Sequence, residues 1–516
     1  MTMRPCPADA VGGRQPAWPD DGALLAALAP WMAERRWYPL KGDAAPAPGS
    51  LSLVGSWDLA PGVRDLLVAV PRPEGSRVLV HVPLVLEPPG ALEAHRVRGE
   101  TPGGEGLLAT GSDGVAVALV DGPHHPAFWR AWARAAAAAG TTLDGPGARA
   151  IVQRAERLRV TTGEQSNTSV VLPAPDGGDA PARSRPDQGA GSQDAATEGL
   201  IIKLFRVLAP GRNPDVEVSV ALARDGWDRV PAPVAWSTVQ LPGTLEPGGA
   251  ASEDAAPRDA ASEAADGAVA SVLVDQATDG FNLFCSLAGS DDGPGSPVRE
   301  RAVALARDLG ATTAQMHAHL ASALGTYEPV SPRALEAELR RRARWALAEV
   351  PSLGAEVPGL QAAVDALYAR LGSLDHLPAS TRVHGDDHLG QVLYCEPQGR
   401  WYVLDFEGEP LRPLAQRREP DQPLRDVAGM LRSFDYAAAV GKAPDPTWLP
   451  AVRAAFLAGY RSSSEGPGGE EGETVLAALE LDKALYEAVY EARNRPDWSA
   501  IPRRGLKALT GAGLRG

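Results

Sequence analysis

The segment VHGDDHLGQVLY, residues 383–394, is followed after a short turn by WYVLDFEGEP, residues 401–410. Within them stand His384, Asp386, Asp387, His388, Gln391, Asp405, Glu407 and Glu409, between apolar runs that read as buried strands. Three chemistries compete for such a crowd. The spacing His384-x-Asp386-x-His388 superficially resembles a metallohydrolase ligand set. Such a site recruits further histidines, however, and His81, His95, His124, His125, His317, His319 and His376 fall in unrelated contexts. An acidic surface turn fits poorly too, because carboxylates that run into apolar positions need partners. The third reading uses the spacing itself. Asp386 and Gln391 stand five apart and Asp405 closes the next strand, an order that sets one base and two magnesium ligands around a transferring phosphoryl group.

That order matches the catalytic hairpin of kinases, H-x-D-x-x-x-x-N followed by D-F-G, with Gln391 in place of the asparagine and DFEGEP in place of DFG. Three further parts are then required upstream. A strand lysine must meet the α- and β-phosphates, and LIIKLF supplies Lys203. Lysine is scarce here, limited to Lys41, Lys203, Lys442, Lys483 and Lys507, so a lysine inside an apolar strand is not there by composition. An acidic residue on the following helix must orient it. Glu217 lies fourteen positions on, with Asp215 as a nearby alternative. A loop must cover the phosphates, and GEQSNTSVV, with Gly163, offers Gln165, Ser166, Asn167, Thr168 and Ser169. Alone, that loop is no more than a polar turn.

The elements that must position these groups fall into two kinds. Residues 22–38 carry an amphipathic helical pattern, and LSLVGSWDL, RDLLVAVPR, RVLVHVPLVLE and GVAVALVDG alternate like strands between Pro/Gly turns. HHPAFWRAWARAAAAAG predicts a helix beginning after Pro126 and ending at Gly140. From 151, IVQRAERLRVTTGEQSNTSVVLP reads as two strands around a polar loop. Low-complexity stretches near 174–198 and 243–267 read as flexible insertions between strands. Beyond about 278 the pattern is mostly helical, and the opening hairpin is its one β-like island.

A chain of 516 residues, 44% of them hydrophobic, exceeds one core and implies two or three domains. A net charge of -15 argues against a nucleic-acid partner. Cys6, Cys285 and Cys395 lie far apart with no C-x-x-C spacing, which suits a reducing cytoplasm and not a structural zinc site. The first residues lack the apolar core of a signal peptide, and no apolar run reaches the length of a membrane span. A cytoplasmic protein acting on a small substrate is expected.

With these residues assembled, the chain resembles the actinobacterial maltokinases, relatives of the aminoglycoside phosphotransferases in the kinase-like superfamily. EQSNTSVV, FRVLAPGRNPDVEV, VHGDDHLGQVL, LDFEGEP, EPDQPLRDVAGMLRSFDYAA and DKALYEAVYEARNRPDW carry the likeness, and RRWYPLKG resembles the family's N-terminal cap. Asp387 departs from it, standing where a hydrophobic residue such as leucine is expected. The resemblance implies an α+β, bilobal protein-kinase-like fold with an extra β-rich cap. On it, residues 1–19 form a disordered N-terminus, 20–122 the cap, 123–277 the N-lobe and 278–516 a helical C-lobe with the catalytic hairpin. It further implies phosphoryl transfer from ATP to the anomeric hydroxyl of maltose, giving maltose 1-phosphate for glycogen and other α-glucan synthesis. Asp386 would serve the acceptor hydroxyl, and Gln391 and Asp405 would hold Mg²⁺. Association with an enzyme that makes maltose by isomerising trehalose is part of the same implication.

Sugar contacts are expected from the helical part: Arg425, Asp426 and Arg432 on PLRDVAGMLRS, and Glu487, Glu491, Arg493 and Trp498 on YEAVYEARNRPDW. Tyr486 and Tyr490, at i, i+4, read as core, and His317 and His319 as packing or surface residues. Two rivals stand beside maltose phosphorylation. A closely similar group of actinobacterial enzymes phosphorylates glucosamine, and a kinase-like fold can also serve as a non-catalytic binding module.

Overall fold

The computed structural model describes residues 16–40, 49–72, 75–97, 100, 103–143, 145–162, 166–175, 194–241, 264–409, 412, 414–463 and 469–513. Residues 1–15 and most of the two low-complexity stretches, 176–193 and 242–263, lie outside these. The described residues form two compact units, the first of 16–175, 194–212 and 233–273, the second of 213–232 and 274–513. No helix of the described residues is long and apolar enough to cross a membrane.

The first unit opens with α1 (Asp21–Ala33), then β1 (Ser52–Ala60), β2 (Val63–Pro71), β3 (Arg77–His81), β4 (Leu84–Glu87), β5 (Gly106–Thr110) and β6 (Ala116–Asp121). It continues with α2 (Pro126–Ala138), α3 (Gly145–Arg154), β7 (Arg159–Val160), β8 (Asn167–Leu172), β9 (Leu200–Phe205) and β10 (Val207–Leu208). One antiparallel sheet runs β10-β3-β2-β4-β6-β5, with β1 also on β2. Its alternating Leu and Val side chains share a core with Leu24, Leu28, Trp31 and Met32 of α1. Helix α2 starts at Pro126 itself, since the first helical position loses nothing by lacking an N–H. The strand expected from 151 is corrected: 145–154 form α3, and only Arg159–Val160 extend. The Arg154 guanidinium then ties down residues expected to be flexible, donating to the carbonyls of Ala195 (2.9 Å) and Glu198 (2.5 Å).

The second half of this unit is a five-stranded sheet, β11-β12-β9-β8-β7, where β11 is Pro233–Gln240 and β12 is Ala264–Val272. Strand β12 therefore begins inside the stretch expected to be a flexible insertion up to 267. Lys203 sits in the central strand, opposite Val269 and Ser169.

The second unit contains α4 (Pro214–Arg224), capped by the Asn213 side chain, which accepts from the Asp215 amide. Further on come β13 (Ala277–Asp279), α5 (Gly280–Gly289), α6 (Pro297–Leu324), β14 (Thr326–Tyr327), α7 (Pro332–Glu349), α8 (Leu353–Glu356), α9 (Leu360–Gly372) and β15 (Ser380–Thr381). The hairpin β16 (Val392–Cys395) and β17 (Arg400–Val403) completes a small sheet with β13. Helices α10 (Leu414–Arg417), α11 (Leu424–Gly441), α12 (Trp448–Ser463), α13 (Gly469–Asn494) and α14 (Ala500–Gly513) follow. One apolar core joins α4 to α6, the hairpin and α11–α13. Helices α6 and α12 approach backbone to backbone: a Cβ on Gly459 would stand 1.9 Å from the Arg307 carbonyl oxygen. The β16–β17 hairpin is therefore held by helices that come both before and after it in the chain.

Candidate active site

Gly385 delivers Asp386 to the site. Its φ of +82° is open to glycine at little cost, and a Cβ there would lie 3.3 Å from Gly408 Cα. Behind this turn, the Asp426 carboxylate on α11 accepts from the His384 amide (2.8 Å), the Gly385 amide (2.9 Å) and His317 Nε2 (3.0 Å). His384 Nε2 contacts the Leu404 carbonyl (2.7 Å), which pins the loop to the strand leading into Asp405. Asp405 has a φ of +61°, a left-handed conformation that costs a non-glycine residue energy, less for aspartate than for most.

The two groups assigned to magnesium come together: Gln391 Nε2 donates to Asp405 Oδ2 at 3.0 Å. The structure adds two carboxylates. Asp215, Asp405 and Glu407 offer oxygens that all lie within 4.8 Å of one another, and Asp215 Oδ1 also accepts the Phe406 amide at 3.1 Å. An all-oxygen, all-carboxylate set suits a hard divalent ion such as Mg²⁺. Glu217 has a different partner from the one expected. Its carboxylate accepts from Arg382 Nη1 at 2.7 Å, so Asp215, two residues earlier, is the α4 acid that reaches the Asp405 segment.

Of the expected phosphate loop, Gln165 lies outside the described residues. Ser166 is exposed and Asn167 half-buried, while Thr168 and Ser169 are buried in the body of β8. The Thr168 hydroxyl accepts from Arg206 Nε at 2.8 Å, and Arg206 is also paired with Asp121. Thr168 is thus a structural polar contact, and the loop position that faces outward is Ser166.

Asp386 lines a cavity of about 390 Å³ in the second unit, within the range of small-molecule sites. One wall is a stripe of α13: Lys483, Tyr486, Glu487, Tyr490 and Glu491, at i, i+3, i+4, i+7 and i+8. His388, Ser433, Tyr436, Arg495 and Trp498 are also on the lining. His388 accepts the Gly390 amide on Nδ1 (3.0 Å), which leaves the proton on Nε2, and burial holds its pKa below the ordinary value. Glu487, Glu491 and Trp498 are therefore in the cavity wall. The other four residues expected there are not on its lining. Arg425 pairs with Asp421 (2.6 Å) and Asp482 (3.2 Å), Arg432 with Glu487 (2.8 Å), and Arg493 with Glu349 (2.6 Å), while Asp426 holds the His384–Gly385 loop. Buried in α11, Arg425, Asp426 and Arg432 act as struts between elements.

Lys483 was not anticipated. Its Nζ bridges Asp386 Oδ1 (3.0 Å) and Glu409 Oε1 (2.8 Å), and Tyr486 lies alongside at 5.1 Å from ring centre to Nζ. Burial alone would lower the lysine pKa. Asp386 and Glu409 outweigh it and hold the ammonium charged well above its ordinary range. The scarcity of lysine that singled out Lys203 applies equally to Lys483 and would have found it. Tyr486 and Tyr490, read as core from their spacing, are cavity residues.

This combination of a mixed sheet unit and a helical unit with a catalytic-type hairpin is a kinase-like α+β fold. It is shared with a solved glucosamine kinase in complex with glucosamine, ADP and inorganic phosphate, with a TM-score of 0.58 at 22% identity over 95% of this chain and 99% of that one. Residues 249–466 match the model of the phosphotransferase enzyme family. Among curated proteins the chain is 30% identical over 227 residues to a glucosamine kinase of Streptacidiphilus jiangxiensis, covering 42% of this chain and 51% of that protein. It is 35% identical over 158 residues to a glucosamine kinase of Mycolicibacterium smegmatis, covering 29% and 39%. The matches thus span about half or less of each curated relative.

Proposed function

We propose that the chain is an ATP-dependent sugar kinase whose acceptor is maltose, forming maltose 1-phosphate. The observation that carries this reading is Asp386 on the lining of a cavity one wall of which is a helical stripe that begins at its partner Lys483. From Lys483 to Glu491 that stripe rises through eight steps, about 12 Å at 1.5 Å per residue, long enough to run beside two linked pyranose rings. Tyr436, Tyr486, Tyr490 and Trp498 offer flat faces along it, and the carboxylates and Arg495 offer hydrogen bonds to hydroxyls.

In this reading Asp386 receives the proton of the acceptor hydroxyl, and the cavity fixes that oxygen in line with the γ-phosphorus. Asp405, Gln391, Asp215 and Glu407 are the groups suited to hold Mg²⁺, which when bound neutralises phosphate charge. Lys203 and the outward-facing Ser166 are assigned to the nucleotide.

A second acceptor, glucosamine, is favoured by a separate observation. The lining carries Asp279, Asp386, Glu487 and Glu491 against Lys483 and Arg495, an acidic excess that suits an ammonium group, and both curated relatives are named glucosamine kinases. Initial rates with ATP, Mg²⁺ and maltose, glucosamine, glucose or an aminoglycoside separate the readings. Maltose is expected to give the highest kcat/KM, and Asp386→Asn to lower kcat about 10²- to 10⁴-fold with ATP binding retained. Preference for glucosamine would transfer the acceptor assignment. Nucleotide binding without turnover on any sugar would make the chain a binding module.

A further inference from the structure

We propose that Lys483 is a positioning residue for the catalytic carboxylate: it holds Asp386 by one oxygen and leaves the other oxygen free to take the hydroxyl proton. The inference rests on the reading of Asp386 as base and goes beyond it by assigning the counter-charge. Three features support it.

The contact is specific. Lys483 Nζ meets Asp386 Oδ1 at 3.0 Å, while Oδ2 stands 3.9 Å from His388 Nε2, outside hydrogen-bond reach. The lysine is also anchored from behind. Glu409, 4% exposed, takes Nζ at 2.8 Å and is itself held by Arg412 Nε at 3.0 Å and approached by Arg342 at 3.8 Å. A flexible four-carbon stem is thereby fixed at both its backbone and its charged end. Finally, the geometry gives the lysine no acid–base role of its own. Paired with two carboxylates, it keeps its proton throughout.

The groups close enough to feel the charge of Asp386 are His384, Asp387 and His388 on its own loop and Lys483 and Tyr486 on α13. Lys483 is the one cation among the described residues in hydrogen-bond contact with Asp386. In the transfer step the sugar O–H bond breaks and its proton goes to Asp386 Oδ2. The sugar oxygen bonds the γ-phosphorus, and the bond from that phosphorus to the β,γ-bridging oxygen breaks with its electron pair leaving on ADP. Lys483 balances the charge of Asp386 up to the moment of proton transfer.

The test compares Lys483→Met, Lys483→Gln and Lys483→Arg with wild type and Asp386→Asn, measuring kcat and KM for the sugar separately. Both neutral variants should lower kcat about tenfold or more while KM stays within about twofold. Lys483→Arg, which keeps a charged donor, should recover part of the lost kcat. Gln retains a hydrogen-bond donor, so it serves if Met fails to fold. A kcat that stays at the wild-type value in the neutral variants, with Asp386→Asn inactive, overturns the role of Lys483 alone. Wild-type turnover by Asp386→Asn overturns the base assignment itself.

Discussion

Replacing Asp387 by asparagine should stabilise the protein, and the gain should grow with pH. Asp387 is 2% exposed, and its Oδ1 has no hydrogen-bond partner among the described residues. Burial is the main force on it and pushes its pKa from 3.8 to about 8. His384 and Lys483 pull it down, and Asp426 and Asp386 push it up. The folded pKa is the raised one. Between pH 3.8 and 8 the unfolded chain therefore gives up a proton that the native state keeps, and native stability falls as pH rises through that window, levelling off above it. Asparagine has nearly the same shape and no proton to lose. From pH 5 to 8 is three units, and at about 1.4 kcal/mol per unit the advantage of Asp387→Asn should widen by about 4 kcal/mol between pH 5 and pH 9. Urea unfolding of both proteins at pH 5, 7 and 9, followed by the helical signal, measures it as a growing separation of midpoints. A separation that is constant, or that narrows toward pH 9, would refute the reasoning.

Two structural contacts give further tests. Asp426→Ala leaves the His384 and Gly385 amides and His317 Nε2 without their acceptor. At about 1–3 kcal/mol per orphaned buried donor, a loss near 4 kcal/mol is expected in urea unfolding, with turnover lost as the loop relaxes; an effect under 1 kcal/mol would mean that the loop is held by something else. Gly459→Ala drives a methyl into the Arg307 carbonyl and should cost about 1–3 kcal/mol in the same assay. Gly354→Ala in α8, with open space around it, should not destabilise.

The fold was legible where periodicity was strong. The alternating runs of residues 52–121 became a sheet, and the long apolar stripes after 296 became helices. It failed at 151–158, where a short apolar run with scattered charges has no decisive period and packing on α2 made 145–154 helical. Inside the hairpin, Asp386, Gln391 and Asp405 were readable because their spacing is local: a strand turn and five residues fix their approach. Glu407 stood in the same segment with nothing in its spacing to give it a role, and the relation of Asp215 and Lys483 to the hairpin is created by α4 and α13 packing around it, which no spacing in the chain records. Glu217 and Thr168 were chosen by chemical type, while the partner that claims each one, Arg382 or Arg206, stands far away in sequence.

The expected sugar residues on α11 stand off the cavity lining for one physical reason. A charged side chain on an otherwise apolar helix is a functional candidate only if no opposite charge is brought to it, and α11 is buried along most of its length. There Arg425, Asp426 and Arg432 would be costly without partners, and each has at least two carboxylates or donors arranged for it. Helix α13 solves the same problem differently. Its Glu487 pairs back to Arg432 and its Asp482 to Arg425 and Arg342, and these pairs orient the helix so that Lys483, Tyr486, Tyr490 and Glu491 face the cavity. The buried arginines of α11 thus do not line the cavity, but they fix the rotation of the helix whose residues do.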